Sequence, residues 1–410
     1  MAMETQPKEL SVHFSPGATE LATPSSVSSA SLIRVVHMTS VHSALDGRIF
    51  RRECRSLARA GYEVTIVGPN PQDTVSDRVQ IKSVRQDQAR ISRMTRTVWR
   101  VYQAARKQKA DVYHFHDPEL IPAALLLRAS GKQVIYDVHE DMPKDIMSKH
   151  YLPVWSRRTI AWLADKIESS TCGHFSALVA VTPSIANRFL SKNGNTIVVH
   201  NYPFLEELLA ESRAAEVWNS RKQAVAYVGG ITAQRAIREM VHAMALLPGS
   251  LPATLELAGN EIPEDAHPDE LHNHEGWKRI NYHGVLDQLS TFRLLHNVRA
   301  GLVIFHPEPN HFEAMPQKIF EYMGAGLPVI ASDFPLWRRL LGDTGCGMLV
   351  NPKDPAAIAR AIEYVLTHPQ EAEEMGRRGR VLVLEQYNWN SQADKLLKLY
   401  SGLTNQLCAG

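Results

Sequence analysis

The chain has 410 residues, enough for two domains with separate cores. With 44% apolar residues, 21% charged residues and a net charge of +2, it reads as an ordinary globular protein, and nothing in its overall charge points to nucleic acid. Its longest apolar run, residues 120–127, is far below the ~18–20 residues of a membrane span, and four scattered cysteines without a CxxC pair argue for a reducing compartment rather than a disulfide framework.

Residues 1–31 are rich in Ser, Thr and Pro, lack a signal-peptide pattern and are expected to form a disordered extension of a cytoplasmic protein. From residue 32 onward, short apolar segments alternate with helical patterns. IRVVHMT (33–39), YEVTIVGP (62–69), DVYHFHD (111–117), QVIYDVHE (133–140), ALVAVTP (177–183) and TIVVHN (196–201) predict strands, with helices at 47–60, 91–107, 118–129, 155–172 and 184–192. Near-continuous apolar strands are what a parallel sheet covered on both faces requires. A loop and acidic linker follows at 203–222, and the pattern restarts. QAVAYVGG (223–230), ATLELAG (253–259), INYHGV (280–285), GLVIFHP (301–307), PVIAS (328–332) and GMLVNP (347–352) predict a second strand set. Helices near 234–247, 287–297, 316–324, 354–367 and 369–385 separate them. The expected fold class is α/β, two Rossmann-like doubly wound parallel-sheet domains at 32–202 and 223–386, with ligands at the carboxyl ends of the strands in the cleft between them. Residues 387–410 follow the second domain.

The loops narrow the ligand class. Neither first strand is followed by GxGxxG, no GxxxxGK[ST] occurs, and no DxD supplies a metal clamp, so no dinucleotide, P-loop or metal-held site is predicted. Gly229-Gly230 allow close backbone approach, and Arg235 lies near the start of the next helix. This turn suits a phosphate, or reads as a tight strand-to-helix turn with a solvated Arg. His114, His116, Asp117, His139 and Glu140 gather at the ends of two strands, with Asp46, Arg48 and Asp137 at the same end. They read as polar groups facing the cleft, as satisfied structural histidines, or as a zinc site. In HPEPNHFEAMPQKIFEYMGAGLPVIAS (306–332), Pro316 fits a first helical position, and Ile319, Phe320 and Met323 follow at helical spacing. Lys318 and Glu321 then lie on the opposite face, with Glu313 in the preceding loop. Two carboxylates, an amine and unpaired N–H groups could hold a diphosphate and a sugar.

Residues 82–109 carry nine basic side chains against Asp87, with Ile91, Met94, Val98, Val101 and Ala105 as a buried stripe. The basic face is either solvated or drawn to an anionic membrane surface. Residues 141–162, with Met142, Ile146, Trp155 and Trp162 beside Lys144 and Arg157, share the amphipathic mixture, and read also as a core-packing helix.

At VHSALDGRIFRRE (41–53), YHFHDPEL (113–120), VIYDVHED (134–141), YVGGIT (227–232), PQKIFEYMGAGLPVIASDFPLWR (316–338) and EQYNWN (385–390), the chain resembles retaining glycosyltransferases of family 4, of the bacterial cell-surface polysaccharide type, with the GT-B fold. The resemblance spans roughly residues 32–400. It implies transfer of a sugar from a nucleoside-diphosphate sugar to a glycan or lipid-linked acceptor, with no metal and no cofactor, at the inner face of the plasma membrane. The donor would meet Gly229, Gly230, Arg235, Glu313, Ala314, Met315, Pro316, Lys318 and Glu321. Glu313 would contact a sugar hydroxyl and Glu321 the ribose, while Arg235 and Lys318 neutralise the leaving diphosphate. His139 would reach the donor sugar from the first domain, and Asp46, Arg48, His116, Asp117 and Glu140 would serve the acceptor side. Residues 387–410 would form a helix crossing back to the first domain. Many relatives carry Arg where Gly230 stands and Gly where Ala236 stands, which places more weight on Arg235 and Lys318. A nucleotide-sugar epimerase and a non-catalytic nucleotide-sugar-binding scaffold are the alternatives of the same fold.

Overall fold

The computed structural model describes residues 32–148, 152–206 and 218–408. The expected extension at 1–31 and much of the expected linker, 207–217, lie outside these. The described residues from 33 onward form one compact unit holding two sheets.

The first sheet has the order β3-β4-β2-β1-β5-β6-β7-β8. Its strands are β1 (Arg34–Met38), β2 (Glu63–Gly68), β3 (Thr74–Ser76), β4 (Val79–Ser83), β5 (Val112–Phe115), β6 (Gln133–Val138), β7 (Ala177–Ala180) and β8 (Thr196–Val198). Every pairing is parallel except β3 with β4. The second sheet, β11-β10-β9-β12-β13-β14, is entirely parallel. It comprises β9 (Ala224–Val228), β10 (Thr254–Ala258), β11 (Ile280–Tyr282), β12 (Ala300–Val303), β13 (Val329–Ser332) and β14 (Gly347–Val350). Strand order reverses direction at β1 in one sheet and at β9 in the other. A doubly wound sheet opens its ligand crevice at the carboxyl end of such a switch point, so the loops after Met38, Phe115, Val228 and Val303 carry the polar groups that matter.

Each sheet has an apolar layer on both faces. One layer of the first sheet is completed from far away in sequence. Trp389, Leu396, Leu399, Tyr400 and Leu403, on the last helix Trp389–Cys408, pack with Val35, Ile66 and Leu57, and Trp389 Nε1–H donates to Ser56 Oγ at 2.9 Å.

Four local features differ from expectation. Strands β3 and β4, not predicted from the sequence, occupy 74–83, so Lys82 of the basic stretch 82–109 lies on a strand, bonded to Asp73. The stripe of that helix is broken as well: Val98, Val101 and Ala105 are buried, whereas Ile91 and Met94 are exposed. A π-type turn at Arg93–Thr97 inserts extra backbone between them and rotates the earlier residues off the 3.6-residue register. The segment 141–162 is not a core helix: it forms Met142–Ser148 and the start of Val154–Thr171, where Trp155 and Trp162 are 82% and 59% exposed. Finally, Pro316 caps the helix Gln317–Gly324 with extended backbone (ψ 133°) instead of occupying its first turn.

Candidate functional site

The second sheet presents two cations at its switch point. After β9 the chain turns through Gly229, whose φ of +132° favours glycine. A Cβ on Gly229 would lie 2.8 Å from Lys318 Nζ, and one on Gly230 would lie 2.7 Å from Arg235 Nη1. The two glycines therefore vacate the space that the amine and guanidinium fill. Thr232 Oγ1 accepts the Arg235 N–H and ends the turn, and Ala236 takes left-handed backbone (φ 54°, ψ 35°), which explains why glycine suits that position.

Lys318, in the first turn of Gln317–Gly324, is not on a solvated face. Its side chain is buried, with Nζ 3.9 Å from the centre of the Tyr227 ring and 5.6 Å from that of Phe305. Among the described residues Nζ has no hydrogen-bond partner. Burial, and then the nearby charge of Arg235, hold the amine well below the usual lysine range. Arg235 donates from Nη1 to the Gly230 carbonyl at 3.2 Å, and the nearby charge of Glu321 offsets only part of the depression of the Lys318 amine. Glu321 stands one turn beyond Lys318 and accepts from Gln317 Nε2 at 2.6 Å.

Glu313 sits in the loop before that helix, which Trp337 secures by donating to the Ala314 carbonyl at 2.8 Å. Its carboxylate accepts from Lys144 and Ser184, both from the first sheet's side of the cleft, and these bonds hold it below the usual carboxylate range. Neither partner was marked as a site residue by sequence reasoning. Lys144 had registered only as part of an amphipathic stretch, and no local pattern distinguishes Ser184.

On the first sheet, Arg48 forks onto Asp137 through Nε and Nη2, both at 2.9 Å. Asp46 Oδ1 accepts the N–H groups of Arg48 and Ile49 and so starts the turn that aims Arg48 inward. His139 Nε2 lies 2.8 Å from Asp137 Oδ2. Asp137 is fully buried. Burial alone would raise its carboxyl, but the Arg48 charge and the two histidines hold it well below the usual range.

These residues line one cleft of about 750 Å³. Asp46, Arg48, His139, Glu140 and Lys144 form one wall. Gly229, Arg235, Glu313 to Pro316, Lys318 and Glu321 form the other. Gly230 is half-buried and does not line the cleft, whereas the buried His116 and Asp117 lie behind its wall. Asp117 accepts from Thr39 Oγ1 and from the N–H groups of Ser40 and Val41, and pairs with His42 Nδ1 at 2.8 Å, which ties down the loop after β1. His116 is buried between Asp137 and His37. For the acceptor side, the structure thus places Asp117 and His116 behind the surface that a ligand could touch.

Among the described residues, two sets have metal-ligand chemistry: His37, Glu53, His114 and His116, and then His116, Asp137 and His139. The ring nitrogens of His37 and His116 and the Asp137 carboxylate are already engaged with one another. The neighbouring Arg48 charge balances Asp137, so a dication would leave net positive charge in a dry place.

The family model described as Glycosyltransferase Family 4 matches residues 47–202, and the one described as Glycosyl transferases group 1 matches residues 210–382. A glycogen synthase of Mycobacterium tuberculosis is 25% identical over 175 residues, 42% of this chain and only 41% of that protein's own length. Among solved structures, a sucrose-phosphate synthase from Thermosynechococcus elongatus superposes with a TM-score of 0.71 at 18% identity, over 91% of this chain and 100% of that one. Anabaena HepE in complex with UDP-glucose superposes with a TM-score of 0.67 at 13% identity, over 90% and 100%.

Proposed function

The chain belongs to the glycosyltransferases of family 4 type, built on the GT-B fold, and from this premise we propose that it transfers a sugar, with retained anomeric configuration, from a nucleoside-diphosphate sugar to a glycan or lipid-linked acceptor of a cell-surface polysaccharide. The observation that carries the donor site is the Lys318 amine: buried, without a hydrogen-bond partner and beside Arg235, at a glycine turn on the switch point of the second sheet. A buried cation lacking a counter-ion is costly, and a diphosphate supplies the missing charge and acceptors at once. Lys318 and Arg235 then stabilise the charge that grows on the leaving diphosphate. The ribose hydroxyls fall to Glu321, and the sugar lies between Glu313 and His139. The UDP-glucose bound by HepE supports a donor of this class.

Two features support an acceptor at an anionic membrane. Trp155 and Trp162 share the exposed side of Val154–Thr171 with Arg158 and Lys166, and Ile91 and Met94 stand exposed among Arg90, Arg93 and Arg96. Amphipathic rings beside basic groups suit an interface. No described helix is long and apolar enough to cross a membrane, so contact would be peripheral.

A calorimetric screen with UDP, GDP and ADP, followed by nucleotide release from the matching sugar donors, tests the donor reading. One nucleotide should bind, and Lys318→Met should weaken it by tenfold or more on the order of a lost charge-assisted bond. Wild-type affinity in Lys318→Met would remove the diphosphate from this place. Flotation with anionic vesicles should capture the protein and neutral vesicles should not; capture by neither removes the membrane contact.

A further inference from the structure

Glu313 belongs to the second sheet's wall of the cleft, yet its carboxylate is held from the first. Lys144 Nζ and Ser184 Oγ both donate to the same oxygen, Oε2, each at 2.5 Å. Among the described residues Oε1 accepts no hydrogen bond, and the side chain is half exposed where it lines the cleft.

Both donors are braced. Lys144 lies in the helix Met142–Ser148 and Ser184 at the start of Pro183–Phe189. Lys144 Nζ is also 3.3 Å from Asp141 Oδ2, and the other oxygen of Asp141 is 3.2 Å from Arg188 Nη1. Arg188 stands one helical turn beyond Ser184, on the same face of the same helix. Its Nη2 donates at 2.9 Å to Asp165 Oδ1 and to Glu168 Oε2, and Glu168 Oε1 accepts the hydroxyl of the buried Tyr136 in β6 at 2.8 Å. One helix therefore supplies Ser184 directly and steadies Lys144 through Asp141, and the brace ends in the core of the first sheet. Burial alone would lower the Lys144 amine, but the bond to Glu313 and the charge of Asp141 raise it, so it stays a cation.

On the opposite wall, the loop that carries Glu313 is pinned on either side of it. The Phe312 ring packs 4.9 Å from that of Phe334, and Trp337 donates to the Ala314 carbonyl. The backbone is thereby fixed, while the side chain keeps its own torsions. Among the described residues no group of its own sheet bonds the carboxylate, so the two donors across the cleft decide which way it turns.

We infer that Lys144 and Ser184 are positioning residues for sugar recognition: they hold Oε2 of Glu313 and leave Oε1 turned to the cleft, where it accepts a hydroxyl of the donor sugar. This role rests on the donor placement proposed above and adds a division of labour to it. Lys318, Arg235 and Glu321, which would hold the diphosphate and ribose, all come from the second sheet and need no help from the first. The sugar is met by a carboxylate that both walls must orient, so selectivity for the sugar depends on the cleft being closed around it.

Calorimetry on the full chain with UDP and UDP-glucose, or the pair selected by the donor screen, isolates the sugar's contribution as the UDP dissociation constant divided by that of UDP-glucose. Lys144→Met, which keeps most of the stem, should leave the UDP constant unchanged and shrink that ratio about 3- to 10-fold, as a charge-assisted bond is lost. Ser184→Ala should act in the same direction and less strongly. Lys144→Arg, which can donate to the same oxygen, should recover most of the ratio. With Glu313→Gln already present, Lys144→Met should add little, because the cation then has no carboxylate to hold. An unchanged ratio in Lys144→Met overturns the inference. So does a larger ratio, which would mean that the bridge competes with the sugar, and so does an equal loss for UDP, which would mark a general disturbance of the site. Glu313→Ala separates the two readings. If it shrinks the ratio and Lys144→Met does not, only the positioning role fails; if neither does, the sugar does not lie at Glu313 and the proposed donor placement fails with it.

Discussion

Lys318 is a conditional cation. Alone in the cleft it is held well below the usual lysine range, and a bound diphosphate would raise it again. Between the two midpoints the complex binds more protons than the free protein, so affinity rises as pH falls through that window. Titrating UDP, or whichever nucleotide binds, at several pH values between 7 and 10 in buffers of different ionisation enthalpy should show net proton uptake within the window between the two midpoints, since the phosphate's own second ionisation, at about 6, is then complete. Lys318→Met should abolish the uptake, and a wild-type protein that takes up no proton contradicts the assignment. The two glutamates should separate in the same assays. Glu321→Ala should raise the nucleotide Kd by about 10-fold or more, as charge-assisted bonds to two hydroxyls are lost. Glu313→Ala should leave that Kd nearly unchanged and lower turnover instead; equal turnover in both variants and wild type would displace the site. At this scale the sequence spoke unevenly. Spacing placed Lys318 opposite the apolar stripe, but its burial depends on Tyr227 of β9 and Phe305 in the loop after β12, both distant in sequence. Lys144 and Ser184 meet Glu313 only because the fold sets the first turns of the helices Met142–Ser148 and Pro183–Phe189 against a distant loop, and no local pattern encodes that.

Among the elements, Gln317–Gly324 is seated by one close approach. A Cβ on Gly301 in β12 would fall 2.1 Å from the Tyr322 ring, and Tyr322 Oη accepts the Val228 N–H at 2.8 Å, one residue before Gly229. Gly301→Ala must push the helix off the sheet and loosen the Gly229 turn together. It should destabilise by about 1–3 kcal/mol, as overpacking does, and weaken nucleotide binding in the same variant; a urea midpoint and a Kd both equal to wild type would refute this. The strands of both sheets were legible because a parallel strand buried on both faces is a continuous apolar run, as in VVHM and LVIF. Strands β3 and β4 were not, because Val79 and Ile81 offer only a brief alternation before charged residues resume. The π-type turn at Arg93–Thr97 was equally hidden, since one extra backbone residue leaves composition untouched yet turns Ile91 and Met94 outward.

Over the whole molecule, buried histidines set the response to acid. His37, His114, His116 and His200 all have folded midpoints lowered by burial, to about 4 for His116 and His200. The unfolded chain protonates them near 6.5, so below that pH it binds more protons than the folded state and stability falls. Each contributes a slope of up to about 1.4 kcal/mol per pH unit until its folded midpoint is reached. His42 opposes them, since its bond to Asp117 raises it and adds stability that is lost as pH rises. Glu53 and Glu168, raised by burial, oppose them too, but His242 and His311 join the lowered set, so the lowered histidines outnumber the raised groups and urea midpoints should drop between pH 6.5 and 5.5; a flat response there would be inconsistent with neutral buried histidines. The last helix makes the same region depend on synthesis order. Trp389, Leu396, Tyr400 and Leu403 leave the ribosome after every strand of the second sheet, yet they close a face of the first. Domains usually complete themselves in the order they are made. Here the second sheet has all its strands in hand while the first still shows an open apolar face, so the earlier-made half is the later one to finish folding, and nascent chains halted before residue 389 are the form most exposed to aggregation.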